Sequence, residues 1–230
     1  MSEKRKAKVI AYVDGFNLYF SLKEKGWQRY YWLNPSALCA SLLHEDQELI
    51  LTKYFTARIA GPEEKRRRQN AFCEALENAK GVRVIYGRYK YNPVRCTACQ
   101  HTENVPTEKR SDVSLAVEML LDAHNNQFDT ALLVSGDTDF CPLLEAITRI
   151  YPTKRVVVCF PPERQNKELK DAASASLIIG RGRISQAQFP DTIEKPDGHI
   201  LSRPERWTDA YQDRIEQEKL KRDRLKGGLE

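Results

Sequence analysis

Six short apolar runs alternate along this chain with segments of helical periodicity, and that alternation constrains the fold most. The runs are KVIAYV (8–13), ELILTKYFTARI (48–59), VRVIYGRYK (82–90), the stretch from Asp129 to Ser135, RVVVCF (155–160) and LIIG (177–180). Each is short, rich in β-branched and aromatic residues, and bounded by turn-forming residues, as strands are. Between them apolar residues recur at helical spacing. Phe16, Leu18, Tyr19 and Leu22 precede a stop at Gly26. A second helix opens at Asn34-Pro35-Ser36. A third starts at Gly61-Pro62-Glu63-Glu64 and turns Phe72, Leu76 and Ala79 inward. A fourth opens at Ser111-Asp112, with Val113, Ala116, Val117, Leu120 and Leu121 on one face. Phe140–Tyr151 and Gln165–Ser174 complete the set. Apolar strands alternating with helices predict an α/β fold, a three-layer α/β/α sandwich with a mostly parallel central sheet. Tyr91 to Glu108 reads as a loop.

The pattern fades after Ile184, which divides the chain into a domain over 1–184 and a C-terminal extension over 185–230. The extension carries a charged helix, Arg203–Leu225, with Trp207, Tyr211 and Ile215 on the stripe expected to dock it. A length of 230 residues suits one such domain with an appendage, and a net charge of +5 favours an anionic partner only mildly. The apolar run after MSEKRKAK is five residues long, too short for a signal peptide or a span. The reading is therefore cytoplasmic, with no membrane partner and reduced thiols. Cys39, Cys73, Cys141 and Cys159 then read as small buried hydrophobes.

Carboxylates gather where the strands end. Asp14 follows the first strand in YVDGFN; Asp137 and Asp139 follow the fourth in SGDTDF; Asp112 starts the helix that feeds that fourth strand. In a parallel sheet all three segments reach the carboxyl edge, where ligands bind near a switch in strand order. Any one of these acids alone reads as a turn or N-cap residue. Gathered together they repel, and an all-oxygen set of this kind suits Mg²⁺ or Mn²⁺.

The segments YVDGFNLYF, KRSDVSLAVEMLLDA and DTALLVSGDTDFCPLLEAI, in this order and spacing, resemble the NYN domain, the LabA-like branch of the PIN-like nucleases. The resemblance runs from Lys8 to Gly180. It implies a PIN-like sandwich and metal-dependent ribonuclease activity. By motif position, Asp14, Asp112 and Asp137 would bind the metal, with Asp139 a fourth acid. Asn17 and Ser135 would orient a carboxylate or bind a phosphate, Gly136 would let the backbone pass close to the site, and Lys109 would bind phosphate or steady the leaving oxygen. Where relatives often carry a further polar or acidic residue, this chain has AASAS (172–176).

Other features have two readings each. EEKRRRQ (63–69), with Arg66 and Arg67, is either a solvated helix face or an RNA backbone contact. Tyr86, Tyr89 and Tyr91, interleaved with Arg88, Lys90 and Arg95, suit base stacking or ordinary strand packing. Trp27, Tyr30, Tyr31 and Trp32 either line a base pocket or seal the sheet edge. Cys96, Cys99 and His101 resemble part of a Zn²⁺ site but lack a fourth ligand nearby, so an unliganded pair is expected unless a homodimer supplies one. The rival to a ribonuclease is a non-catalytic RNA-binding module on the same fold. A haloacid-dehalogenase-type phosphatase would need an acid at position 16, where Phe16 stands.

Overall fold

The computed structural model describes residues 5–59, 61–95 and 97–227. Strands β1 (Ala7–Asp14), β2 (Gln47–Thr56) and β3 (Val82–Tyr86) alternate with helices α1 (Gly15–Glu24), α2 (Pro35–Ala40) and α3 (Glu63–Asn78). The hairpin β4 (Arg88–Arg95) and β5 (Thr102–Lys109) leads into α4 (Ser111–His124). Then come β6 (Thr130–Val134), α5 (Cys141–Ile150), β7 (Arg155–Phe160), α6 (Lys167–Ala172), β8 (Ala175–Ile178) and α7 (Arg181–Gln186). A small hairpin, β9 (Thr192–Glu194) and β10 (Ile200–Ser202), precedes the terminal helix α8 (Asp209–Gly227).

The main sheet has the order β3-β2-β1-β6-β7-β8, and every pairing in it is parallel. Because side chains alternate along a strand, β1 splits its apolar residues between two cores. Val9, Ala11 and Val13 face one cluster, which Leu18 and Leu22 of α1, Leu38 of α2 and Leu76 of α3 complete. Ile10 and Tyr12 face the other, completed by Leu115 and Met119 of α4, Leu144 and Ile147 of α5 and Leu169 of α6. The result is the three-layer α/β/α, PIN-like arrangement expected from the sequence. Cys39, Cys73, Cys141 and Cys159 are buried free thiols. No helix among the described residues is long and apolar enough to cross a membrane.

Two expectations need correction. The stretch 91–108 is largely the antiparallel β4–β5 hairpin. Its prolines, Pro93 and Pro106, are tolerated because an isolated two-stranded ribbon has two free edges.

Helix α4 is rotated from the expected face. It buries Leu115, Met119 and Ala123, and leaves Val113 68% and Val117 49% exposed. The cause lies beneath it. Lys53, buried in β2, forms ion pairs with Glu118 and Asp122, both at 2.6 Å, and the Tyr12 hydroxyl donates to Asp122 at 2.5 Å. A buried cation must be paired, so α4 turns its acids inward and its second apolar stripe out.

The region after Ile184 is structured: Phe189, Leu201 and Trp207 join the first core cluster. Only part of the stripe expected to dock α8 does so, since Ile215 stays 41% exposed. Charge holds this helix instead, with Arg29 reaching Asp209 (3.3 Å), Asp213 (2.9 Å) and Glu216 (3.1 Å). Arg29→Ala is expected to cost only about 1 kcal/mol, since the acids are solvated. Hydrogen exchange should quicken across 209–216 and leave β1 and β6 unchanged.

Candidate active site

The strand order reverses between β1 and β6: β2 and β3 lie to one side, β7 and β8 to the other. Ligand sites of parallel sheets form outside the carboxyl ends at such a point. Val13 is paired with Val134, so the next residues, Asp14 and Ser135, sit side by side where the pairing of β1 with β6 ends. The Ser135 hydroxyl donates to Asp14 Oδ2 at 3.0 Å, and the backbone N–H of Asn17 donates to Asp14 Oδ1 at 3.0 Å, capping α1. The turn after β6 is tied to the same group. Gly136 N–H donates to Asn17 Oδ1 and Asp137 N–H to Ser135 Oγ, both at 3.1 Å. Asp137 caps the short 138–140 turn by accepting from Asp139 N–H at 3.1 Å. Gly136 is required sterically, because a Cβ there would run into the Arg164 carbonyl and come within 2.6 Å of Arg164 Cβ.

Asp14 is 5% exposed. Burial pushes its carboxyl up to about 6; the donors from Asn17 and Ser135 oppose the shift, while the charges of Asp112 and Asp137 add to it. No ion pair reaches Asp14 among the described residues, although its neighbours in charge are acids. Asp112 sits in the first turn of α4, which packs against the 138–140 turn. The residue before that helix, Arg110, is in the left-handed region at φ 86°.

The structure therefore brings Asp14, Asn17, Ser135 and Asp137 into one hydrogen-bonded unit and sets Asp112 within electrostatic reach of Asp14. Asp139 joins through its backbone, and as a residue it is exposed. Among the described residues no three acidic, histidine or cysteine side chains form a ready-made ion cage. The donors Asp14, Asp112 and Asp137 nonetheless fit a hard cation chemically. They are all oxygen, and one is a buried carboxylate that no described cation pairs.

Arg66 and Arg67 are exposed on α3, which starts after β2 at this same edge; Arg67 pairs with Glu63 one turn away. The side chains of Lys109, Tyr89, Lys90 and Tyr91 lie outside the described residues. Cys96 does too, while Cys99 and His101 are exposed.

Sequence reasoning missed the loop after β7. Its Pro162 carbonyl accepts from the buried Ser21 hydroxyl at 2.6 Å, and its Arg164 abuts Gly136. The signal was present in FPPERQN, where a proline pair ends a core strand and stiffens the loop beyond it. With this loop in place, α1 meets the strand ends in turn. Asp14 lies at β1, Asn17 at the β6 turn, Ser21 at the β7 loop and, just past the helix, Trp27 at Arg181 beyond β8. The first two steps, of three and four residues, rise about 4.5–6 Å, close to the roughly 4.8 Å between strands.

The sequence model of the NYN domain matches residues 8–180. A curated relative, 6-hydroxy-3-succinoylpyridine 3-monooxygenase HspA of Pseudomonas putida, is 27% identical over 85% of this chain and 74% of its own length. A crystal structure of a protein of unknown function from Vibrio parahaemolyticus superposes with a TM-score of 0.50 at 22% identity. That match covers 79% of this chain and 98% of the other, and speaks to the fold alone.

Proposed function

The chain belongs to the NYN domain family, whose members are PIN-like nuclease domains, and we propose that it hydrolyses RNA phosphodiester bonds with the help of Mg²⁺ or Mn²⁺. The observation that carries this reading is Asp14, a buried carboxylate at the switch point whose charged neighbours are the acids Asp112 and Asp137. These three carboxylates would hold the cation. When bound, it supplies charge neutralisation and a more acidic water for attack on phosphorus. The chain's own residues do the positioning. The Ser135 hydroxyl and the Asn17 backbone N–H fix both oxygens of Asp14. Asn17 Oδ1 and Ser135 Oγ hold the turn that presents Asp137. Arg66 and Arg67, on a helix starting at the same edge, would meet the RNA backbone. Asp139 would orient water from its exposed position.

The test is a single-stranded RNA incubated with Mn²⁺, and with Mn²⁺ plus chelator. Wild type should cut only with free metal, and Asp137→Asn should cut about 100-fold more slowly, since even partners of metal ligands cost 10–100-fold when lost. Equal cleavage in every lane would overturn the reading. Tight RNA binding without turnover would favour the non-catalytic module.

A further inference from the structure

A cleft of about 460 Å³ opens at the carboxyl ends of β7 and β8, on the same edge of the sheet as the acids. We infer that it binds a nucleobase of the RNA strand lying across the acidic site, with Trp27 and Arg181 as the stacking surface. This rests on the ribonuclease reading for the identity of the strand. The volume falls in the range of roughly 300–1,000 Å³ typical of small-ligand sites.

The lining suits a flat, polar ring. The Arg181 guanidinium lies 5.7 Å from the ring centres of both Trp27 and Tyr30, and its Nε donates to the Tyr30 hydroxyl at 3.1 Å. This anchors a planar cation over the indole, and the guanidinium plane together with the indole edge forms a surface on which unpaired bases stack. Ile178, 54% exposed at the end of β8, offers an apolar contact. Gln165 brings an amide able to read a base edge. Glu163 is held at a left-handed φ of 59° and ion-pairs with Lys25 at 2.5 Å, which offsets its own charge.

Position favours a polymer over a free heterocycle. β8 is two strands from β6, so the cleft lies about 10 Å across the sheet edge from the acid turn. The same loop joins the two: Arg164 packs on Gly136, while Glu163 and Gln165 line the cleft. A ring bound here is too far off to be the reacting group, but it can anchor a strand whose phosphodiester sits at Asp14 and Asp137.

The chain has three tryptophans, and Trp32 and Trp207 are buried, so Trp27 is the fluorescence reporter. The probes are a 2′-O-methyl adenosine hexamer, the same hexamer without bases, and nicotinate as a free heterocyclic acid. All are titrated against Asp137→Asn protein without metal, so binding is read apart from cleavage. The full hexamer should quench Trp27, and the abasic hexamer should bind about tenfold more weakly. Arg181→Ala, and Trp27→Ala followed by anisotropy of a labelled hexamer, should each weaken binding about tenfold with an unchanged melting temperature. Equal affinity for the abasic hexamer, unchanged binding by Arg181→Ala, or nicotinate binding as tightly as the hexamer would each overturn the inference. Base-dependent binding in a chain that fails to cut RNA would sink the ribonuclease reading and leave this subsite standing.

Discussion

Asp14→Asn should lower RNA cleavage about 1,000-fold and, at neutral pH without metal, make the protein more stable. The two effects have one origin. In the folded chain the Asp14 carboxyl titrates at about 6, raised from an ordinary value of 3.8 chiefly by burial. A raised acid is favoured in its neutral form by folding. Its burial is therefore tolerated below pH 4, and folding stability falls as pH rises from about 4 to 6, where the folded group must ionise. The full difference is about 3 kcal/mol at most, from 1.36 kcal/mol per pKa unit. Asparagine carries no charge, keeps one oxygen to accept from the Asn17 backbone N–H, and turns its NH2 to donate to Ser135 Oγ, whose own proton is then redirected. Urea unfolding of the metal-free protein should show Asp14→Asn gaining about 1–3 kcal/mol over wild type at pH 7.5, with the gap closing by pH 4. A variant less stable than wild type at both pH values would mean that Asp14 is a structural cap rather than a carboxylate held at a cost for chemistry. Saturating Mn²⁺ should narrow the gap at pH 7.5 by stabilising wild type alone.

The legible parts of this molecule are those where one physical signal dominates. Apolar runs such as RVVVCF can be satisfied only in a sheet covered on both faces, so the strand–helix alternation is enough to give the parallel sandwich. DGFN and SGDTDF are legible as positions: a parallel strand pattern fixes the edge at which the residues after β1 and β6 emerge, and the structure joins Asp14 and Asp137 there through Ser135. Features decided by pairing between distant residues were not legible. Nothing in SDVSLAVEMLLDA says that Glu118 and Asp122 turn inward, because the reason is Lys53, far away on β2. The apolar pattern alone favours the face that the structure exposes. The β4–β5 ribbon was hidden by two prolines, whose penalty depends on whether an edge is free. Helix α8 has too few apolar residues to announce its docking, and its anchor, Arg29, lies in an unremarked turn. The cleft was half visible as a crowd of aromatics after α1, but the Arg181 that gives them a chemistry comes about 150 residues later.

Gly136→Ala should destabilise the fold by about 3 kcal/mol and disable the site even in molecules that stay folded. Overpacking ordinarily costs about 1–3 kcal/mol, and the upper end applies where the opposing atom is backbone. At Gly136 it is the Arg164 carbonyl, in a loop itself pinned by Ser21 through Pro162 and by the pairing of Arg164 with Glu24 at 2.5 Å. Neither side can yield cheaply. Relief has to come from lifting the β6 turn, which breaks the bond from Gly136 N–H to Asn17 Oδ1 and moves Asp137 away from Asp14. Gly182→Ala is the matched control, since a Cβ there meets nothing within 4 Å and a helical position favours alanine. Thermal melts should place Gly136→Ala well below wild type and Gly182→Ala level with or slightly above it. At a temperature where Gly136→Ala is still fully folded, its Mn²⁺-dependent cleavage should already be down by about 100-fold. A folded Gly136→Ala protein with full activity would show that the loop and turn move freely, and that the spacing of Asp14 and Asp137 is not set by this contact.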